Sequence, residues 1–197
     1  MKKAFILAVL AFSLASAAFG QSATYQIDPA HSNAQFVVRH LGISNVQGQF
    51  TKVSGTVQLD EGDVTKSTVN ATIEVNSLDT RVAARDKDVL SEKFFDAAKF
   101  PNMTFQSKKI ARGSDGKLKL VGDLTIHGVT REITFDVDGP TAAIKDPWGN
   151  NRRGVSATTK IIRQDFGLTY NSALPSGELV VGDSVTITLD IEIIRKP

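Results

Sequence analysis

Apolar and polar residues alternate with a period of two over most of the chain beyond Tyr25. Ala34, Phe36, Val38 and His40 alternate with Gln35, Val37 and Arg39. Val69, Ala71, Ile73 and Val75 alternate with Thr68, Asn70, Thr72 and Glu74. Val185, Ile187, Leu189, Ile191 and Ile193 alternate with Thr186, Thr188, Asp190 and Glu192, the longest strict alternation in the chain. Each pattern predicts a half-buried strand. Residues 46–60 predict one long strand that changes phase, with Phe50 on one parity and Val53, Gly55, Val57 and Leu59 on the other. A bulge near Thr51-Lys52 would restore a single inward face.

Residues 117–137 predict a hairpin. A two-residue turn at His127-Gly128 sets Ile126 against Val129, Leu120 against Phe135 and Leu118 against Val137, with Thr125 against Thr130 on the other face. Apolar meets apolar throughout, so pattern and register agree. The same register sets Arg131 on the apolar side, opposite Leu124. Val155, Ala157, Thr159 and Ile161 make a further strand, which Phe166 and Leu168 continue after a break. About eight such strands, joined at hairpin spacing, predict a mostly antiparallel sheet. A sheet with one apolar face must close or fold over to bury it, and about eight strands suit a closed barrel. A two-sheet sandwich is the alternative.

The exception is residues 78–105, the part that reads as helix. Val82, Val89 and Leu90 recur at helical spacing, and Asp79 or Thr80 is placed to cap the start. Arg85 and Asp86 fall within this apolar stripe, so they are expected to be partly buried and bound to each other or to a strand. Phe94, Phe95 and Phe100 follow, and Pro101 ends any helix.

The first 20 residues have the form of a secretory leader. Lys2 and Lys3 precede an apolar run from Ala4 to Phe12 and a small-residue cleavage region, with cleavage expected after Gly20. That run is shorter than the ~20 residues a membrane span needs. The expected product is a single domain over residues 21–197, exported to the periplasm without stable membrane insertion. The 197-residue chain has a formal net charge of +2. Loss of Lys2 and Lys3 brings it to about 0, which leaves no long-range attraction for phosphates and argues against nucleic acid. The chain has no cysteine, so disulfides and a thiolate nucleophile are excluded.

Candidate chemistry is sparse. No nucleotide-binding glycine motif, zinc-protease helix or serine-hydrolase elbow is present. His31, His40 and His127 share no metal-ligand spacing, and no cofactor is expected. Asp28, His31 and Ser32 read as turn-capping residues rather than a hydrolytic triad. Trp148, in the Pro147–Asn150 loop, reads as a plug for one barrel end.

Several segments together carry a family resemblance. They are Tyr25-x-Ile27-Asp28-x-x-His31-Ser32, Phe36-x-Val38-x-His40-x-Gly42, Gly48-x-Phe50, and Ser77-x-x-Thr80 with Arg85-Asp86. Phe94-Phe95-Asp96, Phe100-Pro101, the segment Gly122-x-Leu124-Thr125-Ile126-x-Gly128-Val129-Thr130, and Arg163-x-Asp165-Phe166-Gly167 complete the set. In this order they resemble the YceI-like family of secreted, lipocalin-like proteins. The resemblance implies an all-β fold, an extended antiparallel lipocalin-like barrel of about eight strands with one short helical insert. It also implies an apolar cavity for a polyisoprenoid, an isoprenoid quinone or a similar lipid, bound without catalysis. One departure is Asp88, where a histidine is common in that family.

Parity and the insert together place Phe36, Val38, Phe50, Val57, Ile73, Val75, Phe94, Phe95, Phe105, Leu124, Ile126, Phe135 and Ile161 in the cavity wall. His40, Arg85 and Asp86 are expected at its polar end, with Arg131 and Arg163 as inward or rim-facing basic groups. Gly122, Ala71 and Ala157 are expected to leave the gap that a ligand fills. An enzyme acting on such a lipid, or an interaction accessory to a membrane redox or stress-response system, are the other readings. A homodimer is left open.

Overall fold

The fold is that of a computed structural model, which describes residues 22–195. The leader expected at residues 1–20 lies outside the described residues. The strands are β1 (Ser22–Ile27), β2 (Asn33–His40), β3 (Ser44–Phe50), β4 (Val53–Asp60), β5 (Thr68–Glu74) and β6 (Leu78–Asp79). Helix α1 (Ala83–Leu90) follows. The second half holds β7 (Asn102–Arg112), β8 (Leu118–Ile126), β9 (Val129–Asp138), β10 (Ile144–Lys145), β11 (Asn151–Ile162) and β12 (Val181–Arg195).

The sheet runs β11-β9-β8-β7-β5-β4-β1-β12, and β12 returns to pair with β11. The result is a closed, antiparallel eight-stranded barrel with a single short helix. Closure removes the exposed edges that an open sheet would present. β2, β3 and β6 prolong the wall beyond β1, β4 and β5. β12 pairs with β1 at Ile193 and Ile194, then with β2 from Asp190 to Val181.

The long strand expected over 46–60 is interrupted at Thr51-Lys52. The two halves take different neighbours, β2 for β3 and β1 for β4. The backbone stays paired across the gap: the Thr51 N–H donates to the Ser77 carbonyl (3.2 Å) and the Glu74 N–H to the Lys52 carbonyl (3.1 Å). The break between β1 and β2 is bridged likewise. The Asp28 N–H and the Ser32 hydroxyl both donate to the Glu192 carbonyl, and Ser32 Oγ accepts from the Glu192 N–H.

The β8–β9 hairpin has the expected register throughout, from Ile126↔Val129 to Leu118↔Val137. His127 (φ 51°) and Gly128 (φ 74°) both adopt left-handed backbone, which a two-residue hairpin of this twist requires. Thr125 and Thr130 hydroxyls lie 2.8 Å apart on the outer face.

Four expectations are corrected. Phe166 and Leu168 do not prolong β11, because a 3-10 turn (Arg163–Phe166) bends the chain and buries both rather than extending them. Neither Asp79 nor Thr80 caps α1. Val82 holds the N-cap position without a side-chain cap, and it is 46% exposed rather than part of a buried stripe. Trp148 is no plug: a turn held by the Asp146 carboxylate presents it to solvent at 78% exposure. The closed end is filled instead by Tyr25, 1% exposed, whose hydroxyl donates to Glu61 (2.9 Å) and accepts from Arg153 Nε (3.3 Å). A ring with a polar tip suits a site that is dry on one side and wet on the other.

Arg163, 3% exposed, pins the opposite end. Its Nε donates to the Gly182 carbonyl (3.1 Å), Nη1 to the Leu168 carbonyl (2.6 Å), and Nη2 to the Val181 carbonyl (3.1 Å) and the Asp183 carboxylate (2.9 Å). It thus ties the turn after β11 to the start of β12. Arg163→Ala leaves these acceptors unpaired, and each buried orphan costs about 1–3 kcal/mol. Urea unfolding should show a loss of at least about 2 kcal/mol, and an unchanged midpoint would contradict this assignment.

Candidate functional site

Inside the barrel lies a cavity of about 420 Å³, within the range of ~300–1,000 Å³ usual for small-molecule sites. It runs from a mouth beneath α1, bordered by Arg39, His40, Thr80, Arg85, Asp88 and Tyr170, to a base at Leu59, Val64 and Leu118. Its walls are overwhelmingly apolar. Two aromatic groups line it. Phe36, Phe50 and Phe95 form one, with ring centroids 5.8 Å apart for Phe36–Phe50 and 5.7 Å for the edge-on Phe50–Phe95 pair. Phe105 and Phe135 form the other, also edge-on at 5.5 Å.

Strand parity explains this lining, since residues two apart on a strand share one face. Of the site residues expected from sequence, all but Val75 and Asp86 border the cavity. Val75 is 1% exposed but packs within the wall, because it begins the 3-10 turn (Val75–Ser77) where the alternation lapses. Ala71 and Ala157 border the cavity as expected. Gly122 leaves no gap: the Phe105 ring lies over it, 2.5 Å from where a Cβ would stand. Arg131 pairs with Leu124 as expected, yet its side chain is exposed at the rim.

Arg85 and Asp86 are half-buried and do not pair with each other. Both bind Thr80, which is 1% exposed. The Thr80 N–H (2.8 Å) and hydroxyl (2.5 Å) donate to Asp86 Oδ1. Arg85 donates from Nε to Thr80 Oγ1 (2.8 Å) and from Nη2 to the Thr80 carbonyl (2.7 Å). The pair therefore latches α1 to the chain leaving β6, and Val89, Leu90 and Phe95 pack onto the core below it. Arg85 also borders the mouth, whereas Asp86 faces the latch.

Sequence reasoning missed several lining residues. Val185, Ile187, Leu189, Ile191 and Ile193 on β12 all border the cavity, and their strict alternation would have placed them there. Tyr170 and Thr80 carried no such signal, since neither belongs to an alternating run.

A second polar cluster lies where β1 ends against β11 and β12. Carboxylate oxygens of Asp28 and Glu192 and a ring nitrogen of His31 lie within 4.8 Å of one another, a spacing a metal could use. The Arg152 guanidinium takes that role. It binds Asp28 (2.6 Å), Asp146 (2.7 Å) and Glu192. Hydrogen bonds from Arg152 and then from His31 lower the Asp28 carboxyl from 3.8 to about 2. Desolvation alone would raise the Asp146 carboxyl, but hydrogen bonds from Asn150 and Arg152 outweigh it and hold the group well below the usual range.

This geometry is that of a lipocalin-like barrel, closed around an apolar cavity with a polar mouth. The chain belongs to the YceI-like family, whose YceI-like domain model matches residues 25–193. It is 40% identical over 170 residues to a UPF0312 protein of Vibrio parahaemolyticus, covering 85% of this chain and 89% of that one. Among solved structures it is similar to the YCEI protein of Campylobacter jejuni, with a TM-score of 0.68 and 30% identity over 81% of this chain and 90% of that one. The fold is also that of a polyisoprenoid binding domain from Saccharophagus degradans, with a TM-score of 0.63 and 18% identity over 87% and 98% of the two chains. Among the described residues no helix is long and apolar enough to cross a membrane.

Two outcomes test these contacts. Asp86→Ala strands the buried Thr80 N–H and hydroxyl and should cost about 1–3 kcal/mol in urea unfolding. Arg85→Ala should cost less, since an under-satisfied carbonyl is better tolerated than an orphaned N–H. Equal losses, or none, would contradict the latch. Acid sensitivity tests the other cluster. The folded pKa of Asp28 lies below its ordinary 3.8, so its contribution is complete above that pH and is lost as pH falls towards 2. Asp28→Asn should therefore be less stable than wild type near neutral pH, and the gap should close in melts below about pH 3.

Proposed function

We propose that this protein carries or sequesters one long apolar chain, a polyisoprenoid, an isoprenoid quinone or a related lipid, along the barrel axis. The apolar cavity that runs from mouth to base carries this reading. Fold likeness to a polyisoprenoid binding domain supports it, as does membership of the YceI-like family. The leader-like residues 1–20 support the periplasm as the place of action.

Binding follows from the hydrophobic effect. Each buried CH₂ contributes ~0.8 kcal/mol, so a long chain binds tightly without any charged contact. Affinity should rise with chain length until the cavity is full and respond weakly to salt, because the contacts are uncharged. No catalytic step is proposed. Of the polar groups a catalyst at the mouth would use, Arg85 and Asp86 already hydrogen-bond to Thr80 within the protein.

A lipid extract mixed with the pure protein and read by native mass spectrometry tests the proposal. Retention of an isoprenoid, quinone or acyl chain is the expected result. Retention of nothing overturns the carrier and favours an interaction role. Ala71→Phe or Ala157→Phe adds a ring to the cavity wall and should abolish retention, with circular dichroism showing the barrel intact. Binding that survives both changes would place the ligand elsewhere.

A further inference from the structure

Closure pairs the eight barrel strands with one another, but the prolonged sheet still has two ends. One end is β10, two residues long, with Lys145 in it and Pro147 close behind. A short edge with a lysine and a proline is guarded against further pairing. The other end is not guarded. β3 pairs with β2 over its whole length, in unbroken register from Ala34↔Phe50 to His40↔Ser44. Its second edge meets β6 at Gln49 and Phe50 alone. The chain leaving β6 turns inward at Thr80, which lies beside Phe36 on the inner face of Gly48. Among the described residues, the outward backbone groups of residues 44–48 have no hydrogen-bond partner.

Residues 43–49 include no charge and no proline. Ser44, Asn45 and Gln47 are exposed, and Val46 borders the cavity. About Val46 the segment reads the same in both directions: small residue, amide, valine, amide, small residue. An exposed apolar side chain stands towards each end of this edge. Ile43, in the turn before β3, is 77% exposed, and Val82, shortly after β6, is 46% exposed.

We propose that β3 pairs with β3 of a second copy of this chain, antiparallel about a two-fold axis at Val46. That register sets Ser44 opposite the partner's Gly48, Asn45 opposite the partner's Gln47, and Val46 opposite its counterpart. No like charges meet. Amide side chains pair on the outer face and valines on the inner one, as cross-strand neighbours do. The two-fold axis also brings Ile43 of each copy towards the end where Val82 of the other stands, so each contact is made twice. Five paired residues per copy fall short of the ~1,000 Å² usual for a stable complex, so the dimer is weak, with a Kd of about 100 µM.

The chain has no cysteine, so a single introduced one reports position. Opposed residues of an antiparallel pair have Cα atoms ~4.5–5.5 Å apart, within reach of a disulfide. Val46→Cys should therefore cross-link to its own copy on mild oxidation, and Thr24→Cys, exposed on β1, should not. Sedimentation velocity from about 10 µM to about 1 mM should show the wild-type protein passing from monomer to dimer. Gln47→Lys places the missing guard on the edge and should raise the Kd about tenfold, with circular dichroism unchanged. A monomer at every concentration overturns the self-pairing and leaves the edge to a strand of another protein. A dimer that Gln47→Lys leaves equally tight overturns it too, as does a Val46→Cys variant that cross-links no better than Thr24→Cys, since either result puts the interface on another surface.

Discussion

The barrel depends on β12 having a partner along both edges. One edge pairs with β11 over its whole length, from Asn151↔Arg195 to Ile162↔Ser184. The other is shared, with β1 taking Ile193 and Ile194 and β2 taking residues 181–190. Without this strand the wall would open and expose a continuous apolar face. Closure also sets the width, since barrel diameter follows strand number. At eight strands the interior is filled or not according to the inward side chains. Here Phe105 covers Gly122, Tyr25 fills the base, and Ala71 and Ala157 remain short. The remaining space is the cavity.

The arginines make that space usable. Arg163 at the mouth end and Arg152 on the wall are both bound by several acceptors, and they tie the turn after β11 and β11 itself to neighbouring segments. Their charge is neutralised locally by carboxylates and carbonyls, so it serves the wall rather than the cavity. Arg85 and Asp86 act likewise, meeting on Thr80 instead of on each other. The polar character of the site is thereby narrowed to the few groups left over at the rim, and an apolar interior is bounded by an almost satisfied polar frame.

How much of the site was legible follows from which residues lie on regular strands. Phe36, Val57, Ile73, Leu124, Ile126, Phe135 and Ile161 lie in alternating runs, and all border the cavity. Val75 shared the pattern but sits where the strand gives way to a 3-10 turn, so parity no longer sets its direction. Trp148 was misplaced for a related reason. A large apolar ring favours burial, but a turn anchored by Asp146 holds this one outside. Tyr170 was invisible because its place is decided by the packing of Phe94, far away in sequence.

Sequence alone determined the antiparallel strands, the β8–β9 register, the change of phase near Thr51-Lys52 and the position of the single helix. Each is a local property: period, turn chemistry and side-chain size act over a few residues. The division into β3 and β4, by contrast, came from their different neighbours. The tertiary structure decided which strands meet, what fills the base and which polar groups stay free. β12 could read equally well as the edge of an open sheet until β11 and β2 flank it. Tyr25 could belong to either strand face until its hydroxyl donates to Glu61 and accepts from Arg153. Arg85 and Asp86 looked like partners because they are neighbours on a helix. A buried threonine N–H and hydroxyl competed for the same carboxylate and prevailed, because an unpaired buried donor costs more than a half-exposed ion pair provides.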